Sequence, residues 1–308
     1  MKRRTFVAGV TATGMSLVSG AAGLAQETTD TATPTEGETM TQPDVPSGYA
    51  PVNGLQMYYE IHGSGGVPVV LLHGAFGTID LWGPILTSLA EKRQVIAVEF
   101  QGHGHTADID RPLRYEQLIE DTAALMRQLE IEHADVAGYS MGGIAALGLA
   151  ITYPELVRKL AVAGANYNND GLFPESLAAI KSLTREMFAG SPPEIAYKDV
   201  APNPDGFPAL VEKIVAIETT FAGWPEDDLE AITAPALLVY GDSDVRPEHA
   251  VQLFRLLGGG VSGDIVGLPR SRLAILPATT HVGLVTERAD WLVAMIDEFL
   301  AAPMPENQ

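Results

Sequence analysis

The residues best suited to chemistry lie in the motif Gly-Tyr-Ser-Met-Gly, residues 138–142, which is centred on Ser140. A short apolar run, residues 134–137, precedes the motif, and an Ala- and Leu-rich stretch with helical character follows it. A serine between a strand and a helix, with glycine two positions before and after, is typical of a tight turn that exposes the hydroxyl. We therefore predict that Ser140 is a nucleophile at a helix N-terminus, where the helix dipole favours developing negative charge.

A serine hydroxyl is a weak nucleophile and needs a neighbouring base. The chain has seven histidines, and His281 follows the last predicted strand and precedes the last predicted helix. We predict that it lies at the edge of the sheet and acts as the base. His103 and His105 also follow a strand, but no third ligand accompanies them, so we expect no metal site. The other histidines have local surroundings typical of a loop, a turn or the surface: His62, His73, His133 and His249.

Two aspartates follow the apolar run at residues 236–240 and compete for the role of the acid that orients His281. Asp242 lies in the turn itself, where aspartate often accepts backbone N–H bonds. Asp244 lies further into the loop and can reach towards the imidazole. Either residue gives the order serine, acid, histidine that is usual for this kind of serine turn, and we predict Asp244 as the acid because of this reach, with Asp242 as the alternative.

Stabilising an oxyanion requires two N–H donors. Met141, directly after the predicted nucleophile, is expected to supply one of them. The other is expected from the loop at residues 73–77, with Ala75 as first choice and Phe76 as second.

Strands and helices must alternate to position these residues. Residues 55–61 alternate in polarity, as in a half-exposed edge strand, whereas six later apolar runs are continuous and fit strands buried on both faces. Helical periodicity occupies residues 115–129 and 144–153. This alternation predicts an α/β fold with a doubly wound, mostly parallel sheet, whose chemistry lies at the carboxyl ends of the strands. The continuous runs are residues 67–72, 95–98, 134–137, 160–163, 236–240 and 273–276.

Composition and the N-terminal region limit the partners and the location. The 308 residues carry 19 Lys and Arg against 39 Asp and Glu, a net charge of -20, so we expect no binding to nucleic acid or to an anionic membrane. Arg3 and Arg4 precede an uncharged stretch that ends in small residues, a pattern that predicts a cleaved export signal at residues 1–25, of the twin-arginine type. An uncleaved membrane anchor is the alternative, but glycine and serine make the stretch weakly hydrophobic. Residues 26–48 are predicted to be a disordered linker. After cleavage we expect no stable membrane association.

The motifs as a set resemble the α/β-hydrolase superfamily. They are His73-Gly74, residues 102–104 (Gly-His-Gly), the turn around Ser140, residues 241–244 (Gly-Asp-Ser-Asp) and the late His281. The resemblance is closest to the branch of enol-lactone hydrolases, small serine esterases, proline iminopeptidases and cofactor-free haloperoxidases. It implies a Ser-His-Asp hydrolase without metal or cofactor, and we expect it to cleave a carboxylic ester or lactone. Its export is expected from the N-terminal signal alone. Glu99 departs from the aspartate usual in the family, which we expect to alter loop tethering more than chemistry.

The resemblance also implies that residues 49–165 and 236–308 form the core and that residues 166–235 form a helical lid. Helices are predicted at residues 174–189 and 207–221, with proline-rich connections between them. Aromatic residues of the lid are expected either to line an acyl pocket or only to attach the lid to the core. The predicted pocket residues are Phe76, Phe188, Phe221 and Trp224.

Three alternatives stay open at this point. The same fold serves aminopeptidases and C–C hydrolases, and a non-catalytic member could use the cleft to bind a ligand. Residues 256–271, which are rich in glycine, predict either a mobile loop or a contact in a homo-oligomer.

Overall fold

The computed structural model describes residues 45–305. The predicted export signal and all but residues 45–48 of the predicted linker lie outside the described residues. The first strand, β1, begins at Ser47, so the folded unit starts two residues before the predicted position of Tyr49.

An eight-stranded sheet forms the centre of the fold, in the order β1-β2-β4-β3-β5-β6-β7-β8. The pairs β1–β2 and β2–β4 are antiparallel, and every other neighbouring pair is parallel. The predicted doubly wound, mostly parallel sheet is thereby confirmed. The strands are β1 (Ser47–Val52), β2 (Leu55–His62), β3 (Val69–Leu72), β4 (Val95–Val98), β5 (Ala134–Tyr139), β6 (Val157–Ala163), β7 (Ala236–Ser243) and β8 (Arg272–Thr280).

Helices cover both faces of the sheet. Those that pack on the core include α2, α3 and α8 on one face and α1, α10 and α11 on the other. Among the described residues no helix is both long and apolar enough to cross a membrane. The helices are α1 (Gly83–Ala90), α2 (Tyr115–Gln128), α3 (Met141–Thr152), α4 (Pro174–Lys181), α5 (Pro192–Val200), α6 (Phe207–Thr220), α7 (Glu226–Glu230), α8 (Pro247–Leu256), α9 (Gly263–Val266), α10 (His281–Val285) and α11 (Ala289–Ala301).

Strand β3 shows why the buried strands read as continuous apolar runs. Val70 and Leu72 point into the core that contains α2 and α3, whereas Val69 and Leu71 point into the core that contains α1 and α11. Successive side chains of a strand alternate between its faces, so a strand covered on both sides needs apolar residues at every position. The packing fixes the carboxyl end of β3, and with it the loop that follows.

The structure corrects three predicted elements. Strand β2 lies between β1 and β4, so it is β1 that forms the edge. The single helix predicted at residues 174–189 ends at Lys181, and a separate turn of 3₁₀ helix occupies Arg185–Phe188. The pair Pro192-Pro193, predicted as a connection, begins α5, because proline at the first helical positions removes an N–H that would have no helical partner.

His249 was predicted as a surface or turn residue, and this prediction is wrong. Its side chain is buried on α8 and stacks on the ring of Tyr167, with 4.1 Å between the ring centroids. Its Nε2 accepts the Tyr167 N–H at 3.2 Å, which requires the neutral imidazole, and burial lowers the pKa of His249 to about 4. The local sequence gave no sign of this contact between residues on different elements.

Candidate active site

Ser140, His281 and Asp244 form a chain of hydrogen bonds at the carboxyl edge of the sheet. Ser140 directly follows β5, Asp244 directly follows β7 and His281 directly follows β8. The His281 Nδ1 lies 2.6 Å from Asp244 Oδ1, and its Nε2 lies 2.9 Å from Ser140 Oγ. Because an ionised carboxylate can only accept, the proton belongs on Nδ1, and Nε2 is left to accept the serine hydroxyl. The three residues predicted from the sequence are therefore brought together.

The turn at Ser140 is strained, as its motif predicts. Ser140 has φ 55° and ψ -123°, a conformation that costs about 1–3 kcal/mol for a residue with a side chain. The neighbouring glycines are required by close backbone contacts. A Cβ on Gly138 would lie 2.2 Å from the carbonyl oxygen of Gly142, and one on Gly142 would lie 2.0 Å from that of Leu72.

Tyr139, the residue before Ser140, contacts His281 in two ways. Its ring stacks on the imidazole of His281 at a centroid distance of 5.0 Å, and its hydroxyl donates to the His281 carbonyl oxygen at 3.0 Å. Nothing in the local sequence indicates either contact. The contact fixes the start of α10 against the end of β5.

The two competing aspartates have different surroundings. Asp242 is exposed and accepts the N–H groups of Ala278 and Thr279 at 2.9 and 3.2 Å, which hold the pKa of its carboxyl below the usual value. Asp244 has a fully buried carboxylate whose Oδ1 contacts His281. Its Oδ2 is buried without a hydrogen-bond partner among the described residues. Asp242 thus holds the loop before His281, and Asp244 contacts the imidazole.

Gly164, directly after β6, lies against the Asp244–His281 pair and was not identified from the sequence. It has φ 59°, and a Cβ there would lie 3.1 Å from Asp244 Oδ2 and 3.3 Å from His281 Cε1. Only glycine combines this conformation with so close an approach.

In the loop after β3, hydrogen bonding distinguishes Ala75 from Phe76 as the second candidate donor for an oxyanion. The Gly77 N–H donates to the Gly74 carbonyl oxygen at 3.1 Å, which closes a turn with Phe76 at φ 60°. The Phe76 N–H donates to His103 Nε2 at 3.3 Å and is thus occupied. Within residues 45–305 the N–H groups of Ala75 and Met141 have no acceptor in the protein. These two N–H groups are therefore free to bind a ligand.

Two buried histidines hold this loop as neutral hydrogen-bonding groups. His73 Nε2 accepts the Phe100 N–H at 3.1 Å, and its Nδ1 donates to the Gly74 carbonyl oxygen at 2.8 Å. His103 uses its Nδ1 in the same way, towards the Gln101 carbonyl oxygen at 3.0 Å. Burial lowers the pKa of His73 to about 3 and that of His103 to about 4, so both stay uncharged near neutral pH. No cluster of three metal-ligating side chains occurs among the described residues.

Glu99 ties the same loop to the segment after β4. Its Oε1 accepts the Ile79 N–H at 3.2 Å, and its Oε2 accepts the His105 N–H at 2.5 Å. Burial raises the pKa of this carboxyl, and the backbone hydrogen bonds oppose that shift. A Cβ on Gly104 would lie 2.3 Å from the carboxylate, so a glycine is needed beside it. Glu99 therefore tethers the loop, the kind of role expected for it.

A cavity of about 580 Å³ opens beside Ser140 between the sheet edge and the segment that joins β6 to β7. Phe76 lines it, as predicted, but the other three predicted pocket residues do not. Phe188 packs on Phe76, and the Trp224 Nε1 donates to the Ile144 carbonyl oxygen at 3.0 Å. Phe221 packs between Tyr115 and Trp224. The inserted segment instead contributes Asn166, Leu172, Ser176, Ala179, Ile180, Leu183, Pro193, Ile214 and Glu218 to the lining.

Glu218, a residue with a carboxyl group, lines this cavity and was not predicted as a site residue from the sequence. It lies on α6, and its Oε1 accepts the Tyr115 hydroxyl at 2.9 Å. Burial raises the pKa of Glu218, and both the Tyr115 hydrogen bond and a charge on His281 oppose that shift. A single glutamate in an amphipathic helix gives no signal that distinguishes it from a solvated one.

The role of Gly164 can be tested on the reactivity of Ser140. Replacement of Gly164 with alanine is expected to displace Asp244 or His281 and to slow labelling of Ser140 by an organophosphonate about ten- to a hundredfold. Gly54→Ala is the matched control, because Gly54 also has positive φ, 85°, but a Cβ there would meet nothing within 4 Å. Labelling rates are measured on variants whose circular dichroism matches the wild type. An unchanged rate in folded Gly164→Ala would contradict the assignment.

Known proteins share this fold and this sequence pattern. The profile of the Alpha/beta hydrolase family matches residues 69–295. The human serine hydrolase BPHL is 29% identical over 271 residues, which cover 83% of this chain and 87% of that protein. The enol-lactonase of Burkholderia xenovorans LB400 is 22% identical, with a TM-score of 0.64 over 82% of this chain and 100% of the enzyme. The meta-cleavage product hydrolase CumD of Pseudomonas fluorescens IP01 is 20% identical, with a TM-score of 0.62 over 83% of this chain and 97% of that one. The chain belongs to the α/β-hydrolase family, as its motifs predict, and is a hydrolase.

Proposed function

We propose that this protein is a serine hydrolase that cleaves a carboxylic ester or lactone through an acyl-enzyme. The observation that carries the proposal is the hydrogen-bonded chain from Asp244 through His281 to Ser140, which opens onto the cavity. An ester or lactone fits because the cavity walls are mostly apolar side chains, which suit a hydrocarbon acyl group. Family membership supports hydrolysis without specifying the bond.

The first half of the reaction uses the geometry of the resting site. Ser140 Oγ attacks the ester carbonyl carbon while its proton moves to His281 Nε2, and the carbonyl oxygen becomes an oxyanion. Asp244 keeps the imidazole in its orientation and stabilises the imidazolium that forms. Collapse of the tetrahedral intermediate breaks the ester bond, and the Nε2 proton goes to the leaving alkoxide.

The second half regenerates the enzyme with the same groups. A water molecule gives a proton to His281 Nε2 and attacks the acyl carbon. The second tetrahedral intermediate releases the carboxylic acid, and the Nε2 proton returns to Ser140 Oγ. Lactone hydrolysis follows the same steps, with the alcohol and the acid in one product.

The free N–H groups of Ala75 and Met141 are the proposed oxyanion donors. Met141 is the first residue of α3, so its N–H has no partner within the helix and the helix dipole adds positive potential there. Removal of one such donor typically lowers turnover about 10²–10³-fold. The hydrogen bond from Phe76 to His103 supports Ala75 over Phe76 as the second donor.

Ser140→Ala tests the nucleophile directly. We expect hydrolysis of p-nitrophenyl esters to fall to a small residual rate, because the members of such a triad act as one unit. The fold should persist, since alanine removes only the hydroxyl, and thermal unfolding provides the check. Residual activity above about a tenth of the wild type, against the typical loss of several orders of magnitude, would remove Ser140 from the mechanism.

The two aspartates provide a second test. Asp244→Asn should lower kcat by orders of magnitude, because the imidazole loses the partner that fixes its tautomer. Asp242→Asn should mainly lower the melting temperature, because Asp242 accepts two backbone N–H groups of the loop before His281. Steady-state kinetics and thermal unfolding of both variants are compared, and the opposite ranking of activities would assign the catalytic role to Asp242.

We also propose that the protein is exported by the twin-arginine route. Supporting this are Arg3 and Arg4, the uncharged residues 5–25 and the small residues Gly23 and Ala25 before the expected cleavage site. The protein recovered from the exported fraction should begin at or near Gln26, as read by N-terminal sequencing. Replacing both arginines with lysine should leave precursor inside the cell, and unchanged export would exclude this route.

A further inference from the structure

The cavity beside Ser140 contains one carboxyl that the proposed mechanism does not use. Among the described residues that line it, the ionisable groups besides Tyr139 are Asp244, His281 and Glu218, and no lysine or arginine is among them. Asp244 pairs with His281. Glu218 is thus an acidic group in a largely apolar cavity, without a cation to neutralise it.

One carboxylate oxygen of Glu218 accepts a hydrogen bond, and the other has no donor among the described residues. Its Oε1 accepts the hydroxyl of Tyr115, a buried residue at the start of α2, at 2.9 Å. The Glu218 backbone carbonyl oxygen accepts Asn169 Nδ2 at 3.1 Å, which anchors the end of α6. The hydrogen bonds of residues 45–305 include no donor for Glu218 Oε2, and the residue lines the cavity. Oε2 is therefore the acceptor of this cavity-lining residue that remains available to a ligand.

Leaving such an acceptor unpaired is costly once a ligand excludes water. An alkyl chain that fills the cavity would strip water from Oε2 and offer no hydrogen bond in return. A hydroxyl or an ammonium group at the same place would satisfy it, and an ammonium would also neutralise its charge. Sites built to hydrogen-bond a substrate group discriminate strongly against analogues that lack it.

We propose that Glu218, positioned by Tyr115, is a specificity-determining residue that selects substrates with a hydrogen-bond donor, a hydroxyl or an ammonium group, on the part that occupies the cavity. This inference rests on the proposed ester hydrolysis and adds the substrate class. A substrate with a carboxylate at that place is disfavoured, because it would meet a second carboxyl and no cation among the lining residues described.

The test uses p-nitrophenyl esters in matched sets whose acyl chains end in methyl, hydroxyl or ammonium, with chains of increasing length. At the chain length that reaches Glu218, wild-type kcat/KM should favour hydroxyl and ammonium over methyl by about ten- to a hundredfold. Glu218→Gln, whose Oε1 keeps the Tyr115 hydrogen bond, replaces Oε2 with an NH₂ group that only donates, so the ammonium preference should be lost, whereas a hydroxyl, which can accept, should still be favoured over methyl. Glu218→Leu should remove both preferences.

Glu212→Gln is the matched control, because Glu212 lies on the exposed side of the same helix and changes the net charge equally. Its ratios of kcat/KM should equal those of the wild type. Wild-type ratios near one at every chain length, or ratios unchanged in Glu218→Leu, would overturn the proposal and leave Glu218 only as a tie between α2 and α6. Glu218→Gln keeps the Tyr115 hydrogen bond, so the proposal stays testable if Glu218→Leu does not fold.

Binding to the Ser140→Ala variant separates this proposal from the proposed function. Calorimetry with the same esters should show tighter binding of the hydroxyl and ammonium members, and this difference should be absent when Glu218→Leu is added. If the wild type cleaves none of the esters, ester hydrolysis is wrong, and the calorimetric difference still decides whether Glu218 selects a donor. Equal binding of all three members would overturn the role of Glu218 alone.

Discussion

The backbone turn at Ser140 is the constraint on which the rest of the site depends. Its positive φ is unfavourable by about 1–3 kcal/mol, so the surroundings must hold it. The Ser140 N–H donates to the Ala163 carbonyl oxygen at 2.9 Å, and the Ser140 carbonyl oxygen accepts the Ile144 N–H at 3.0 Å as α3 begins. Strand β6 and helix α3 thus fix the turn from two sides. The position of Oγ follows, and the other groups are placed relative to it.

The groups around Ser140 are arranged by hydrogen bonds that need particular protonation states. His73 and His103 are buried as neutral rings, because each must accept a backbone N–H with Nε2. His281 instead contacts the carboxylate of Asp244, which can stabilise a positive ring. Imidazole rings therefore occur in two settings at this edge of the sheet: His73 and His103 are uncharged and hold the loop after β3, whereas His281 lies beside a carboxylate.

The segment between β6 and β7 covers this edge of the sheet, and the cavity lies between the two. Helices α4 and α6 supply mostly apolar side chains to its walls, and the polar ones among them are Ser176 and Glu218. The aromatic residues Phe188, Phe221 and Trp224 attach this segment to the core instead of facing the cavity. The part of the site that would contact substrate is therefore decided by the aliphatic side chains of the insertion and by a few of its polar ones, among which Glu218 is the only carboxyl in the described part of the chain.

The sequence by itself determined the mostly parallel sheet, the turn at Ser140 and the histidine that meets it, and it limited the acid to Asp242 or Asp244, because these signals are local. Runs of apolar residues, a glycine two positions on each side of a serine, and residues just after strands can all be read along the chain. Tertiary structure decided what depends on contacts between distant residues. Tyr115 and Glu218 are 103 positions apart, and Phe76 and His103 are 27 apart. Gly164 matters only because β6 brings it against Asp244 and His281. No local pattern encodes such approaches, because they are set by how the sheet and helices pack together.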